Sequence, residues 1–461
     1  MSETGSADAG APALALGAAI ERGAANPIEI AEQALARIGT LDPEHRIFVH
    51  LLPERTRAEA HAAWQRAKAG LRRGPLDGVP IAWKDNVETG GAVTAAGSRL
   101  LQNHVPDRDA PVLSRATLAG AVFLGKTNLT EIAFSGLGIN PVTGTPANAF
   151  DATTPRVPGG SSSGTAVAIA RGLCPLGVGT DTGGSVRIPA AWNNLVGLKT
   201  TAGLIPTDGI VPLVPSLDTV GPLATCVVDA AALHAVLAGQ KPVDLAGSRI
   251  AGRRILALPA EALSAVETSV LAPYEAALEA LSKAGAQVMR GRFAPFDVLR
   301  GLARKHGVPG VPEASAVWRD AVEARPSEMY RFVANRIAEA DGGTAIGLAG
   351  YLAELRQVAR DAADRLAGGL AVALPTTAAR PAPIADLEHD EAAYTAANRS
   401  ALMLTSPANG LGLCAISIPA GFTAPDGTAP ALPVGLQLVA GPGGEAALLR
   451  LAVAAEAVLS R

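Results

Sequence analysis

The chain has 461 residues, 48% of them hydrophobic and 18% charged, with a formal net charge of −3. That length admits two or three domains or one large α/β domain, with ample apolar material for a core. Near-neutral charge and scattered basic residues give no reason to expect nucleic acid or an anionic membrane as a partner. Cys174, Cys226 and Cys414 share no metal-ligand spacing and imply no disulfide framework. They read as small core residues and fit a reducing cytoplasm. No apolar run reaches the ~18–20 residues needed to span a bilayer. The N-terminal stretch MSETGSADAGAPA lacks the basic and long apolar segments of a secretory signal. Residues 1–15 are expected to be a disordered tail, and residues 16–461 a single domain.

In chain order, Asn26 caps a helix with Pro27 at its first position and Glu29 three residues after the cap. An alanine-rich helix is expected from Arg55 to Arg72. Val79 to Trp83 reads as a short buried strand with Lys84 at its C-terminal end. Asp109 is expected to cap a helix that Gly120 closes, and Ala121 to Leu124 forms the next strand. Asn128 to Ser135 reads as a short helix. Residues 141–160 are rich in proline, threonine, asparagine and glycine and read as a loop. A helix follows from Ala166 to Arg171 and a strand from Leu176 to Gly179. This alternation predicts an α/β fold, a mixed, mainly parallel central sheet covered by helices on both faces. Residues 240–365 are expected to form a variable, mostly helical cap, with Ser264 to Gly285 its longest periodic run and Gln287 to Met289 a strand. Strand patterns return at Leu370–Leu374, Cys414–Ile418 and Val434–Val439, and a helix from Gly444 to Leu459 closes the chain.

Two glycine–serine clusters stand out: Gly159-Gly160-Ser161 and Asp181-Thr182-Gly183-Gly184-Ser185. A serine hydroxyl attacks a carbonyl only when a base removes its proton. None of the seven histidines sits in a recognisable catalytic context. Glycine lets backbone N–H groups approach a substrate closely, so the second cluster can converge donors on an oxyanion. Gly160-Ser161-Ser162-Ser163-Gly164 also satisfies G-x-S-x-G, which would make Ser162 the nucleophile of an α/β-hydrolase, although the preceding segment is a poor strand. A glycine-rich loop that binds an anion without chemistry is a further reading.

The stretch from Pro158 to Lys199, with Trp83-Lys84-Asp85-Asn86, Gly125-Lys126-Thr127-Asn128, Pro375-Thr376-Thr377 and Leu432-Pro433-Val434-Gly435-Leu436-Gln437, resembles the amidase-signature family of serine hydrolases. The resemblance implies that family's fold and its Ser–cisSer–Lys triad. It places the nucleophile at Ser185, the relay serine on a cis peptide at Ser161, and the base at Lys84. It puts the oxyanion hole at Thr182, Gly183, Gly184 and Ser185, and substrate contacts at Phe134, Ser135, Gly136 and Leu137. Lys84 must be neutral to act as a base, and burial lowers a lysine from its ordinary value near ~10.4. Asp181, Arg187 and Thr180 are expected to hold the loop in shape. Asn193, Trp318, Tyr330 and Phe332 are further expected pocket walls.

The implied activity is standalone hydrolysis of small or aryl amides through an acyl-enzyme. Esters and carbamates (urethanes) pass through a similar tetrahedral intermediate. The alternatives are the amidase subunit of a tRNA-dependent amidotransferase, which frees ammonia from glutamine for a partner, and a non-catalytic binding protein. No metal or organic cofactor is implied. The expected ligand is a small molecule, with no nucleic acid and no membrane; oligomeric state stays open, a homodimer included.

Overall fold

Short apolar runs bounded by glycine and proline build one sheet in the computed structural model, which describes residues 9–308, 311–339 and 343–460. Among these residues eleven strands pair. They are β1 Phe48–His50, β2 Pro80–Lys84, β3 Val122–Thr127, β4 Leu176–Thr180, β5 Val196–Lys199, β6 Val220–Ala224, β7 Arg254–Ala257, β8 Gln287–Arg290, β9 Leu370–Pro375, β10 Cys414–Phe422 and β11 Pro433–Ala440. Their order is β1-β3-β2-β4-β6-β5-β10-β11-β9-β7-β8. Every residue of β2, β3 and β4 is buried. Successive side chains point to opposite faces, so both faces of this part of the sheet are covered.

The sheet is mixed as expected, but parallel pairing does not predominate. It is confined to β3-β2-β4 and β9-β7-β8; every other pairing is antiparallel. The cause lies in the connections. A parallel neighbour needs a crossover, which the helices Pro111–Leu118, Ser163–Ala170 and Thr268–Lys283 supply between β2 and β3, β3 and β4, and β7 and β8. No helix of the described residues is long and apolar enough to cross a membrane.

Local expectations meet the tertiary structure with mixed outcome. Asn26 does cap the helix Pro27–Leu41, its side-chain oxygen accepting from the Ile28 amide at 3.0 Å. Asp109 does not cap the helix Pro111–Leu118. Its carboxylate instead takes both terminal nitrogens of Arg55, at 2.9 and 2.8 Å, and the Gly90 amide. The stretch Asn128 to Ser135 holds only a single 3-10 turn, Glu131–Ala133. Residues 1–8 of the expected tail lie outside the described residues, but residues 9–15 are ordered. A helix runs over Ala13–Glu21, and buried Asp229 accepts the Ala13 and Leu14 amides at 2.6 and 3.0 Å. That carboxylate, 216 positions away, caps the helix start from another element, which a local reading of the tail could not reveal.

The region 240–365 is only partly a cap. β7 and β8 extend the sheet beyond β9. The helices Pro312–Ala324 and Arg331–Ala338 pack over the loops in front of the sheet, burying Trp318, Val322 and Val333 against Leu129, Phe134, Leu213 and Val214.

Gly221 shows how closely β5 and β6 pass. A Cβ there would lie 2.0 Å from the Leu198 carbonyl oxygen. Gly221→Ala is expected to lower the stability of the fold by about 3 kcal/mol in urea unfolding, the upper range for overpacking; an unchanged midpoint would show that the two strands separate freely.

Candidate active site

β2 and β4 are parallel neighbours, so Lys84 and Thr180 reach the same edge of the sheet at their C-terminal ends. That edge is where open α/β sheets present chemistry. After β4 the chain turns through Asp181–Val186 into the short helix Arg187–Trp192, and Ser185 lies on this turn. Ser161 precedes the helix Ser163–Ala170, and the Gly160–Ser161 peptide bond is cis. The two serine segments run side by side, with the Ser162 amide donating to the Ser185 carbonyl at 3.2 Å.

Lys84 is fully buried, its Nζ 2.7 Å from Ser161 Oγ and 2.6 Å from Thr180 Oγ1. Asn86 also donates to Thr180 Oγ1, at 3.1 Å. Burial strips the ammonium of water and lowers the Lys84 pKa to about 7, while Asp218 and Asp181 oppose the shift without cancelling it. An amine so placed is substantially neutral at mildly alkaline pH and can accept a proton from Ser161.

The turn itself is held from beneath. Arg187 and Asp181 are both fully buried, and the guanidinium grips the carboxylate at 2.9 and 3.0 Å. Burial alone would raise the Asp181 pKa. The Arg187 charge and hydrogen bonds, with help from Lys199 and Asn409, outweigh it and hold the carboxyl well below the usual range. Arg187 also donates to the Thr405 carbonyl and to Gln437 and Asn409. Thr405 Oγ1 in turn donates to the Gly183 carbonyl at 2.6 Å. Gly184 has φ +140°, and a Cβ there would come within 2.2 Å of Thr405 Oγ1, so only glycine fits. Among the described residues, no hydrogen bond engages the amides of Thr182, Gly183, Gly184 and Ser185. Asp218 ties the turn to the loop above it, accepting from the Thr182 hydroxyl and from the Leu213 and Val214 amides.

Ser185 opens onto an inner cavity of about 210 Å³ shared with Phe134, Ser135, Thr182, Gly183 and Arg336. Phe134 and Ser135, expected as substrate contacts, thus line the same cavity as Ser185. Gly136 and Leu137 do not line this cavity. Their carbonyls accept the Gly160 and Gly159 amides, and the Leu137 side chain is buried among Ile188 and Trp192. They brace the Ser161 segment instead. Asn193 is turned to the Pro158 and Pro189 carbonyls. Trp318 donates to the Pro212 carbonyl and backs the cavity from behind. Tyr330 and Phe332 stack with Tyr394 in an aromatic cluster away from Ser185. Ser162 is fully buried and faces β4, its Oγ 3.4 Å from the Thr180 carbonyl, so the G-x-S-x-G reading fails. No histidine lines the cavity.

Several lining residues carried no signal in the sequence. Leu213, Val214 and Leu217 come from the connection between β5 and β6, and Leu402 and Ser406 from the segment before β10. Arg336 stacks over the Phe134 ring at 4.0 Å and donates to the Phe134 carbonyl. None of these belongs to a local motif. Among the described residues no cluster of His, Cys, Asp and Glu is arranged to hold a metal ion.

Because Asp181 is buried and charged, removing its partner leaves an uncompensated carboxylate. Arg187→Met is expected to destabilise the protein by roughly 3–5 kcal/mol in urea or thermal unfolding. Wild-type stability in that variant would show that the carboxylate does not depend on the guanidinium.

The Amidase family profile matches residues 29–449. The chain is 36% identical to a glutamyl-tRNA(Gln) amidotransferase subunit from a Synechococcus species, covering 92% of each protein. It is 35% identical to the corresponding subunit from Chloroflexus aggregans, over 94% of this chain and 93% of that one. In fold it resembles a crystallised amidase, with TM-score 0.84 at 31% identity over 97% of this chain and 100% of that one. It likewise resembles the peptide amidase of Stenotrophomonas maltophilia, with TM-score 0.81 at 29% identity over 98% and 97%. Matched along nearly its whole length in both sequence and fold, the chain belongs to the amidase-signature family.

Proposed function

We propose that the chain hydrolyses amide C–N bonds through an acyl-enzyme on Ser185. The observation that carries this reading is the buried Lys84 amine, 2.7 Å from Ser161 Oγ and beside the Ser185 turn. Ser161 passes its proton to Lys84 and takes one from Ser185. Ser185 Oγ attacks the carbonyl, and the amides of Thr182, Gly183, Gly184 and Ser185 receive the oxyanion. Collapse breaks the C–N bond as the proton returns through Ser161 to the leaving amine. Water then attacks the acyl-enzyme by the same relay and frees the acid.

Two readings of the amide are in play. Relatives that are glutamyl-tRNA(Gln) amidotransferase subunits, 34–38% identical to this chain, favour glutamine, with its ammonia used by a partner protein. That weighs against the preference for standalone hydrolysis drawn from sequence alone. Standalone hydrolysis of small or aryl amides, with esters and carbamates, is supported by the amidase and peptide amidase structures and by a wide vestibule outside the inner cavity. Ammonia release from glutamine by the purified chain, set against kcat/KM for p-nitroanilides, aryl esters and aryl carbamates, decides between them. A cytoplasmic location fits either.

Ser185→Ala and Lys84→Ala are each expected to lower kcat by roughly 10³-fold or more with any substrate. A fluorophosphonate is expected to label Ser185; wild-type rates in either variant would defeat the assignment. Lys84 works as a base only when deprotonated, and burial sets its pKa to about 7. The pH–kcat/KM profile is therefore expected to rise through pH 7 and level off on the alkaline side. A profile flat from pH 5 to 9, with chemistry rate-limiting, would contradict that role.

A further inference from the structure

A vestibule of about 920 Å³ adjoins the inner cavity and shares Thr182, Leu217, Arg336, Leu402 and Ser406 with it. Its walls are unbalanced in charge. Arg292, Arg300, Arg304, Arg336 and Arg399 face only Glu261 and Glu339. Arg292 and Arg300 share Asp297, at 2.9 and 3.4 Å. The Arg304 and Arg399 side chains have no carboxylate partner among the described residues. Arg304 stands near the end of the helix Ala294–Lys305 and Arg399 near the end of Glu391–Leu402. Two elements distant in sequence thus bring uncommitted guanidinium groups to one vestibule that adjoins the cavity lined by Ser185.

A guanidinium presents a planar fork of donors that matches a carboxylate or phosphate. A concave wall with excess positive charge also concentrates anions at its mouth. We propose that the vestibule selects amide substrates that bear a carboxylate at the end remote from the scissile bond, held by Arg304 and Arg399. The inference rests on hydrolysis at Ser185. It goes further by naming a charge on the substrate and a reach beyond the inner cavity. Each arginine is solvent-exposed, so a single contact contributes little and the pair together about tenfold in kcat/KM.

The test is a series of p-nitroanilides of linear diacids of increasing length, each compared with its carboxamide-terminated and phosphonate-terminated counterparts. The full-length protein is used throughout. The expected result is a carboxylate over carboxamide ratio of about ten at one chain length, falling with added salt. In Arg304→Gln/Arg399→Gln the ratio is expected to drop to about one, and in Arg304→Glu/Arg399→Glu to fall below one. A ratio near one in the wild type, or the same ratio in both double variants, overturns the proposal. Preference for the phosphonate overturns the choice of carboxylate. Turnover of the neutral anilides without charge preference defeats this inference and leaves the acyl-enzyme reading standing. If no substrate is turned over and Ser185 is unlabelled, the acyl-enzyme reading fails. Calorimetric titration with suberic acid monoamide then still reads the vestibule: binding lost in Arg304→Glu/Arg399→Glu supports it, and equal or absent binding overturns it.

Discussion

Lys84 holds an amine where no water reaches it, and the site is organised around that fact. An ammonium ion there would lose its hydration without gaining a carboxylate at contact distance. Its neighbours are hydroxyls, Ser161 at 2.7 Å and Thr180 at 2.6 Å. Asp181 and Asp218 act only at longer range, and both are already engaged by other donors. The balance brings the amine's pKa down to about 7, so a large share of it is uncharged near neutral pH. The parallel pairing of β2 with β4 makes this possible, because it ends Lys84 and Thr180 on the same sheet edge.

A second constraint keeps the Ser185 turn rigid. Its amides can meet a developing charge only if the backbone is held in place beforehand. The Arg187–Asp181 pair lies directly beneath, and the guanidinium's remaining hydrogen bonds go to Thr405, Asn409 and Gln437. Those residues belong to the segments around β10 and β11, more than 200 positions away. The turn is therefore stabilised by the far end of the chain. Asp218 performs the same service on the upper side by joining Thr182 to the Leu213–Val214 loop, so the Ser185 turn and one wall of the cavity are parts of a single network. Charged hydrogen bonds in so dry a setting are strong when every partner is present and costly when one is missing.

Around this rigid centre the cavity walls come from less regular chain. Phe134 packs with the helical layer containing Trp318 and Val333, and Arg336 of that same layer lies over its ring. That layer lies outside the glycine–serine segments altogether. Its packing shapes the inner cavity, and its Arg336 lines the vestibule together with Arg300 and Arg304 of the helix Ala294–Lys305 and Arg399 of Glu391–Leu402. The proposed triad and the vestibule arginines thus lie in different parts of the chain, the first at a sheet edge and the second mostly on helices outside the glycine–serine segments.

The local pattern of the chain was enough to read β2, β4 and β9 to β11, the Asn26 cap and the glycine-flanked serines, whereas Lys84, Ser161 and Ser185 became candidates as a triad through the resemblance to the amidase-signature family. Each of the features read locally depends on residues close in sequence: a short apolar run, a side chain reaching two positions on, a glycine-flanked serine. Antiparallel pairing in the middle of the sheet, the Asp229 cap on the first helix and the bracing role of Gly136 and Leu137 were not legible. Nor were Leu213, Leu402 or Arg336 as neighbours of Ser185. All of these arise from contacts between segments tens to hundreds of residues apart, where no periodicity or spacing records who the partner is. Sequence by itself determined which groups could carry out the chemistry, because reactivity belongs to residue type. Only the folded structure decided that Lys84 loses its water, that Asp181 keeps its charge, and which side chains stand around Ser185, because desolvation and proximity are properties of packing.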